Sequence, residues 1–420
     1  MRTKGLTRRG FVRGSAIAGA GLVAAACSSL PTGKKAPANK NTIVIGGARP
    51  LSGPNAVYEE SAFGPIYKMW IEEVNEKGGI YVEEYDKQLP IAEPIIYDDE
   101  SDLDTMVRLV EKLMVEDKVD FVLPPASTAF LFAAAPIFNK HGYVLLGAEG
   151  GATTIRDLLP SLPYLFGTLN FSDHNQMPVM ADIFEEVGVK TVAIMFLQDL
   201  HGIEYSGVAT TELGKRGIDV KLIKSVPLDV EDVSSILHEA QALNVDAFLT
   251  CCYPPQNFLA IGQSMEMGFN PKIFLTGPGA NFALCKDTFG PAAEGIMGYG
   301  AWNQKSSPAA AEFYEKFTAR WGEEILDWWG HLPYYGSLQF FEQAIEEAGT
   351  LDQAVIRDVM ASETFETALG PTWYEGGLLA VDCYAGQIGQ WQGDVFEVID
   401  PGEKRTADPV YPKPEWPAPA

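Results

Sequence analysis

The chain has 420 residues, with 56 acidic against 31 basic side chains, a net charge of −25 and 46% hydrophobic residues. That balance excludes nucleic acid and an anionic lipid surface as direct partners, because both repel a strongly acidic chain. The length exceeds what one hydrophobic core supports, so two lobes are expected.

The N-terminus addresses location. Residues 1–13, MRTKGLTRRGFVR, hold five basic residues and no acid, and the small, weakly apolar stretch GSAIAGAGLVAAA (14–26) leads to Cys27. A basic region, a short apolar region and small residues before a cleavage point mark a signal peptide. At about 13 residues the apolar region falls short of the ~20 that span a bilayer. Thr7-Arg8-Arg9-Gly10-Phe11 resembles the twin-arginine export motif, with Arg8 and Arg9 as the export signal, although Sec export stays open. Ala24-Ala25-Ala26-Cys27 resembles a bacterial lipobox, with Ala24 where Leu is usual; Cys27 would then carry the lipid and anchor the chain to a membrane. The alternative is an ordinary signal peptide cut nearby, which leaves Cys27 without a role. Residues 1–26 are thus read as the signal and 27–41 as a polar tether. Loss of the five signal charges leaves 26 basic against 56 acidic residues in the mature chain, a net charge near −30.

From residue 42 short β-rich runs alternate with helical stretches. TIVIGG (42–47) is an apolar run, 60–77 a helix stopping at Gly78-Gly79, and 91–99 a strand. An amphipathic helix at 103–116, DFVL (120–123), a helix near 129–140 and YVLLG (143–147) complete a first series. A second series follows Leu169: helices near 175–187, 203–216, 232–243 and 256–267 alternate with strands at 191–196, 219–225, 246–251 and 272–277. Such alternation predicts parallel sheets covered on both faces. Two series predict an α/β fold of two doubly wound lobes, with ligand beyond the carboxyl ends of the strands and in the cleft between lobes. Residues 309–363 read as helical with aromatic clusters at Trp328-Trp329 and Tyr334-Tyr335, and 370–401 as short strands with Gly turns. The last dozen residues carry five prolines, so 406–420 reads as an extended tail. Cys251, Cys252, Cys285 and Cys383 allow one disulfide without assigning it, and no spacing suggests a metal site.

Four stretches in this order, PLSGPNAVY (50–58), the 60–77 helix ending in NEKGGI, IIYDDESD (95–102) and QIGQWQGDVFEVIDP (387–401), resemble the Leu/Ile/Val-binding protein family. These are the type I periplasmic solute-binding proteins of branched-chain amino acid ABC importers. The resemblance spans about 42–401. It implies a first lobe of 42–167 plus 297–365, a second of 168–296 plus 366–405, a three-stranded hinge, and closure on a small ligand. It also implies a monomer delivering ligand to ABC permease subunits.

The family grips a ligand carboxylate at positions that fall here on Ser127 and Thr128 and on the turn Ala148-Glu149-Gly150. A hydroxyl and free N–H groups at a helix N-terminus suit an anion; the plainer reading is that Ser127 only caps its helix. Tyr58 matches an aromatic that covers the ligand, His201 stands before Gly202 where relatives have Tyr-Gly, and Tyr253 matches another pocket aromatic. His201 could titrate near neutral pH, as Tyr would not. Gly279 departs from the pattern, because amino acid receptors have a Glu there for the ligand ammonium, and a buried ammonium without a carboxylate is costly. Glu149 is the acid left in the proposed pocket turn. An amino acid is the first ligand expected; an aromatic or branched aliphatic acid, or a small amide, is the alternative. A ligand-sensing subunit of a signalling system is the reading from another class. With no G-x-S-x-G, P-loop or H-E-x-x-H, neither catalysis nor a cofactor is expected.

Overall fold

The computed structural model describes residues 40–147, 153–169 and 173–417. Arg8, Arg9 and Cys27 lie outside the described residues, as do Ala148, Glu149 and Gly150.

The first lobe carries two parallel half-sheets. Ile45–Arg49 is flanked by Ile95–Asp98 and Phe121–Val122. Leu145–Gly147 pairs with Leu165–Gly167, whose far edge takes the Tyr374–Glu375/Leu378–Leu379 hairpin. Among the described residues no ladder forms between the half-sheets. Instead the Gln353 side chain donates to the Asp120 carbonyl at 2.7 Å and accepts the Val144 N–H at 2.8 Å, so neither backbone group is left without a partner. The helices Gly64–Glu76, Leu103–Lys112, Thr128–His141 and His331–Ala348 bury their apolar residues against these strands.

The second lobe is one seven-stranded sheet. Its five parallel strands are, in spatial order, Met297–Ala301, Ile273–Thr276, Ala247–Cys251, Thr191–Leu197 and Asp219–Val226. Gly386–Gln392 and Val395–Val398 extend it antiparallel beside Met297–Ala301. The central strands are buried throughout, as a sheet covered by helices on both faces requires. Asp219–Val226 is mostly exposed and carries Lys221 and Lys224, which blunt a sheet edge against pairing with another chain.

Strand pairing places the crossings between lobes differently from the boundaries read at 297 and 366. Met297–Ala301 is hydrogen-bonded inside the second sheet, and Tyr374–Leu379 covers the open edge of the first. The physical reason is edge completion: a buried strand needs neighbours on both sides. The first helix also differs. It starts at Ala56, not 60, and passes through a π-helical turn at Glu59–Phe63 before Gly64–Glu76. The tail is extended but docked. The Lys413 N–H donates to the Lys272 carbonyl at 2.8 Å, and the Trp416 indole N–H to the Phe269 carbonyl at 2.7 Å. Cys251, Cys252, Cys285 and Cys383 are all buried free thiols, so no disulfide joins them. Among the described residues no helix is long and apolar enough to cross a membrane.

Candidate functional site

Strand ends and helix starts from both lobes meet at one cluster. In the first lobe the loop after Ile45–Arg49 is held by Asp98. Its carboxylate accepts the Leu51 and Ser52 N–H groups at 3.1 and 3.2 Å and the Ser52 hydroxyl at 2.8 Å. Two stretches that stood out in the sequence, PLSGPNAVY and IIYDDESD, are therefore one structural unit, and it delivers Tyr58 to the cleft.

Ser127 precedes the Thr128–His141 helix with φ +78° and makes no side-chain capping bond. A non-glycine residue in that region is strained and persists only where its surroundings impose it. The plain capping role is therefore not the one its side chain plays. Thr128 opens this helix and is 3% exposed, and Tyr58 meets the ring of Tyr253 of the second lobe edge-on with centroids 6.1 Å apart. Burial pushes the Tyr253 hydroxyl well above its ordinary pKa, and it donates to Asp199 Oδ2 at 2.7 Å. The other oxygen of Asp199 accepts the Gly202 N–H at 2.8 Å and caps the Leu200–Lys215 helix. His201, on that helix's first turn, stacks on Tyr253 at 5.1 Å, and its Nε2 lies 3.2 Å from the Tyr299 hydroxyl. Tyr58, Ser127, Thr128, His201 and Tyr253 are all buried.

Gly279 sits against the first turn of the Pro254–Met267 helix, which follows Tyr253. Its φ is +117°, and a Cβ there would stand 3.0 Å from Pro254 Cβ and 3.2 Å from Phe258 Cε1. A side chain there would be strained at that φ and would need Pro254 and Phe258 to give by a few tenths of an ångström.

Residues 42–392 match the family profile described as "Periplasmic binding protein". The chain belongs to that family. As a periplasmic binding protein it is a solute-binding, extracytoplasmic type of protein, and the family is not enzymatic. Leu/Ile/Val-binding protein homolog 7 from Brucella abortus is 24% identical over 369 residues, covering 83% of this chain and 88% of the relative. Two solved structures share the fold. The leucine-binding protein LivK from Thermotoga maritima has a TM-score of 0.72 at 19% identity, covering 86% of this chain and 99% of that one. A solute-binding protein of an ABC transporter from Rhodopseudomonas palustris BisB5, in complex with 3,4-dihydroxybenzoic acid, has a TM-score of 0.71 at 19% identity, covering 84% and 93%.

Trp329, legible in the sequence of this periplasmic binding protein only as one of an aromatic pair, packs against the same ring cluster. The indole lies 6.2 Å from Tyr58, 6.2 Å from Phe63, 6.2 Å from Phe282 and 5.9 Å from Tyr334. It is carried on a strap that reaches the second lobe, where the Trp328 N–H donates to the Asn281 carbonyl at 2.9 Å. Asp327 accepts the Trp329 and Gly330 N–H groups at 2.5 and 2.9 Å, and burial raises its carboxyl well above the usual range. Burial pushes His331 down to about 3, so the ring is neutral. Its Nδ1 accepts the Asp327 N–H at 3.2 Å and its Nε2 donates to the Ser61 carbonyl at 3.0 Å. Adjacent tryptophans before a glycine were the available signal, but nothing in their spacing points at a cleft.

A second contact joins the lobes beside the cluster. The Glu204 carboxylate accepts the Thr154 N–H at 3.0 Å and also bonds the Thr154 hydroxyl, and burial raises its pKa. Thr153 bonds Asp173, and its Oγ1 lies 2.6 Å from His174 Nδ1. Asp199, Tyr299 and Glu204 were not legible as site residues, because each acts through a partner distant in sequence.

Proposed function

We propose that the protein is the solute-binding subunit of an ABC importer, exported and lipid-anchored through Cys27, and that its lobes close on a small carboxylate with a flat, uncharged body. The observation that carries the ligand class is Gly279, which lacks the acid that pairs with a ligand ammonium in the resembled receptors and whose φ of +117° strains any side chain. Ser127 and Thr128 at a helix N-terminus suit the carboxylate. Tyr58, His201, Tyr253 and Trp329 offer ring faces and edges to a planar body. An aromatic acid fits that set.

The second reading is an amino acid, favoured by the Asp199 carboxylate 2.7 Å from the Tyr253 hydroxyl, which is an acid at the cluster. A thermal-shift panel of benzoate, 3,4-dihydroxybenzoate, leucine and phenylalanine separates the two. Bound ligand stabilises by about 2.7 kcal/mol at a hundredfold excess over Kd. Aromatic acids are expected to raise the melting temperature; a shift with leucine or phenylalanine and none with the acids would reverse the assignment. Permease and ATPase genes beside this one would support import, whereas a neighbouring sensor kinase would favour the signalling role. For the anchor, Cys27→Ala should move the exported protein from the membrane to the soluble fraction. An unchanged membrane fraction would remove Cys27 as the lipid site.

A further inference from the structure

The loops that bring Tyr58 and Ser127 to the site leave two different strands, and one buried cation lies beneath both. Arg49 ends the Ile45–Arg49 strand and its side chain is 0% exposed. Its Nε donates to Glu59 Oε2 at 2.8 Å, with a second guanidinium nitrogen 2.7 Å from the same oxygen. A third nitrogen donates to the Pro124 carbonyl. The guanidinium carbon also lies 5.0 Å from the Tyr67 ring centroid and 5.7 Å from that of Phe63.

Glu59 adjoins Tyr58, and Pro124 lies three positions before Ser127. Glu59 follows Tyr58 and opens the π-helical turn, a local widening that is rare in helices and recurs at functional sites. The turn depends on the glycine that follows it: a Cβ at Gly64 would stand 2.4 Å from the Glu59 carbonyl oxygen and 2.9 Å from Glu59 Oε1. Pro124 begins the loop that ends at Ser127 with its strained φ of +78°. Asp99, fully buried, donates its N–H to the Arg49 carbonyl at 2.9 Å and lies in the field of the guanidinium.

We propose that Arg49 is the positioning residue of the ligand site, its planar fork holding the Tyr58 loop through Glu59 and the Ser127–Thr128 loop through Pro124 in one fixed relation. Arginine suits this because it presents several donors in a rigid plane and stacks on rings. A lysine offers one compact ammonium on a flexible stem in place of that fork, so it fixes its two partners less rigidly. Arg49 acts through these loops and does not touch the ligand.

The test compares ligand-free wild type, Arg49→Lys and Glu59→Gln by hydrogen exchange. Arg49→Lys should speed exchange in 55–64 and 124–130 together and leave the second-lobe sheet unchanged. Glu59→Gln should loosen 55–64 alone. Loosening of one segment only in Arg49→Lys, or of the whole chain, overturns the proposal, as does no change. In a second arm, calorimetry with whichever panel compound binds wild type should find affinity weakened about tenfold or more in Arg49→Lys, the loss of a charge-assisted hydrogen bond. Wild-type affinity in that variant also overturns it. This arm alone rests on the proposed ligand class. If no panel compound binds wild type, that class fails while the exchange arm still decides the role of Arg49.

Discussion

Replacing Trp329 by alanine is expected to destabilise the ligand-free protein by about 3–5 kcal/mol, the range for truncating a buried large aromatic. The indole is 5% exposed and meets four other rings, and aromatic pairs add about 0.5–1.5 kcal/mol each beyond their buried area. Its surroundings are shaped to it: at Gly300, with φ +83°, a Cβ would stand 2.2 Å from the indole Cδ1. The strap leaves little room for collapse, because Asp327 and His331 hold its backbone on both sides. Denaturant unfolding of Trp329→Ala and Trp329→Phe measures this, with Phe recovering most of the loss. A cost below about 1 kcal/mol for alanine would mean that the cluster repacks and the strap does not fix it.

Glutamate at Gly279 should not create an amino acid receptor. It is expected to cost about 2–4 kcal/mol, combining a side chain at strongly positive φ with crowding against Pro254 and Phe258. Chemical unfolding together with calorimetry against leucine tests both halves. A Gly279→Glu protein that is as stable as wild type and binds leucine would show that the loop can re-form around an acid, and would return the amino acid reading to first place.

These two residues mark the limit of reading along the chain. Gly279 was visible as a departure, because one position in a recognisable order of segments lacked an expected acid. How a side chain would fare there depends on Pro254 and Phe258, and their proximity to the Gly277–Asn281 loop is a matter of tertiary packing. Ser127 was visible as a hydroxyl before a helix. That it does not cap the helix follows from its φ of +78°, which no residue type announces. Trp329 lies 271 positions after Tyr58 by number, and only the strap's contact with the Asn281 loop brings their rings together.

By itself the sequence determined the alternation of strands and helices, and with it two doubly wound lobes. Hydrophobic periodicity and turn residues are local signals, readable within a dozen positions. It also carried the family likeness, and that resemblance, rather than local pattern, singled out Tyr58, Ser127, Thr128, His201 and Tyr253 as candidates. Only the tertiary structure decided where the lobes exchange strands, that the proline-rich tail docks, and that Arg49 is buried beneath two loops. Edge completion, ring packing and the pairing of a buried charge are made between residues far apart in the chain. Their partners are chosen by the folded geometry and leave no periodic trace.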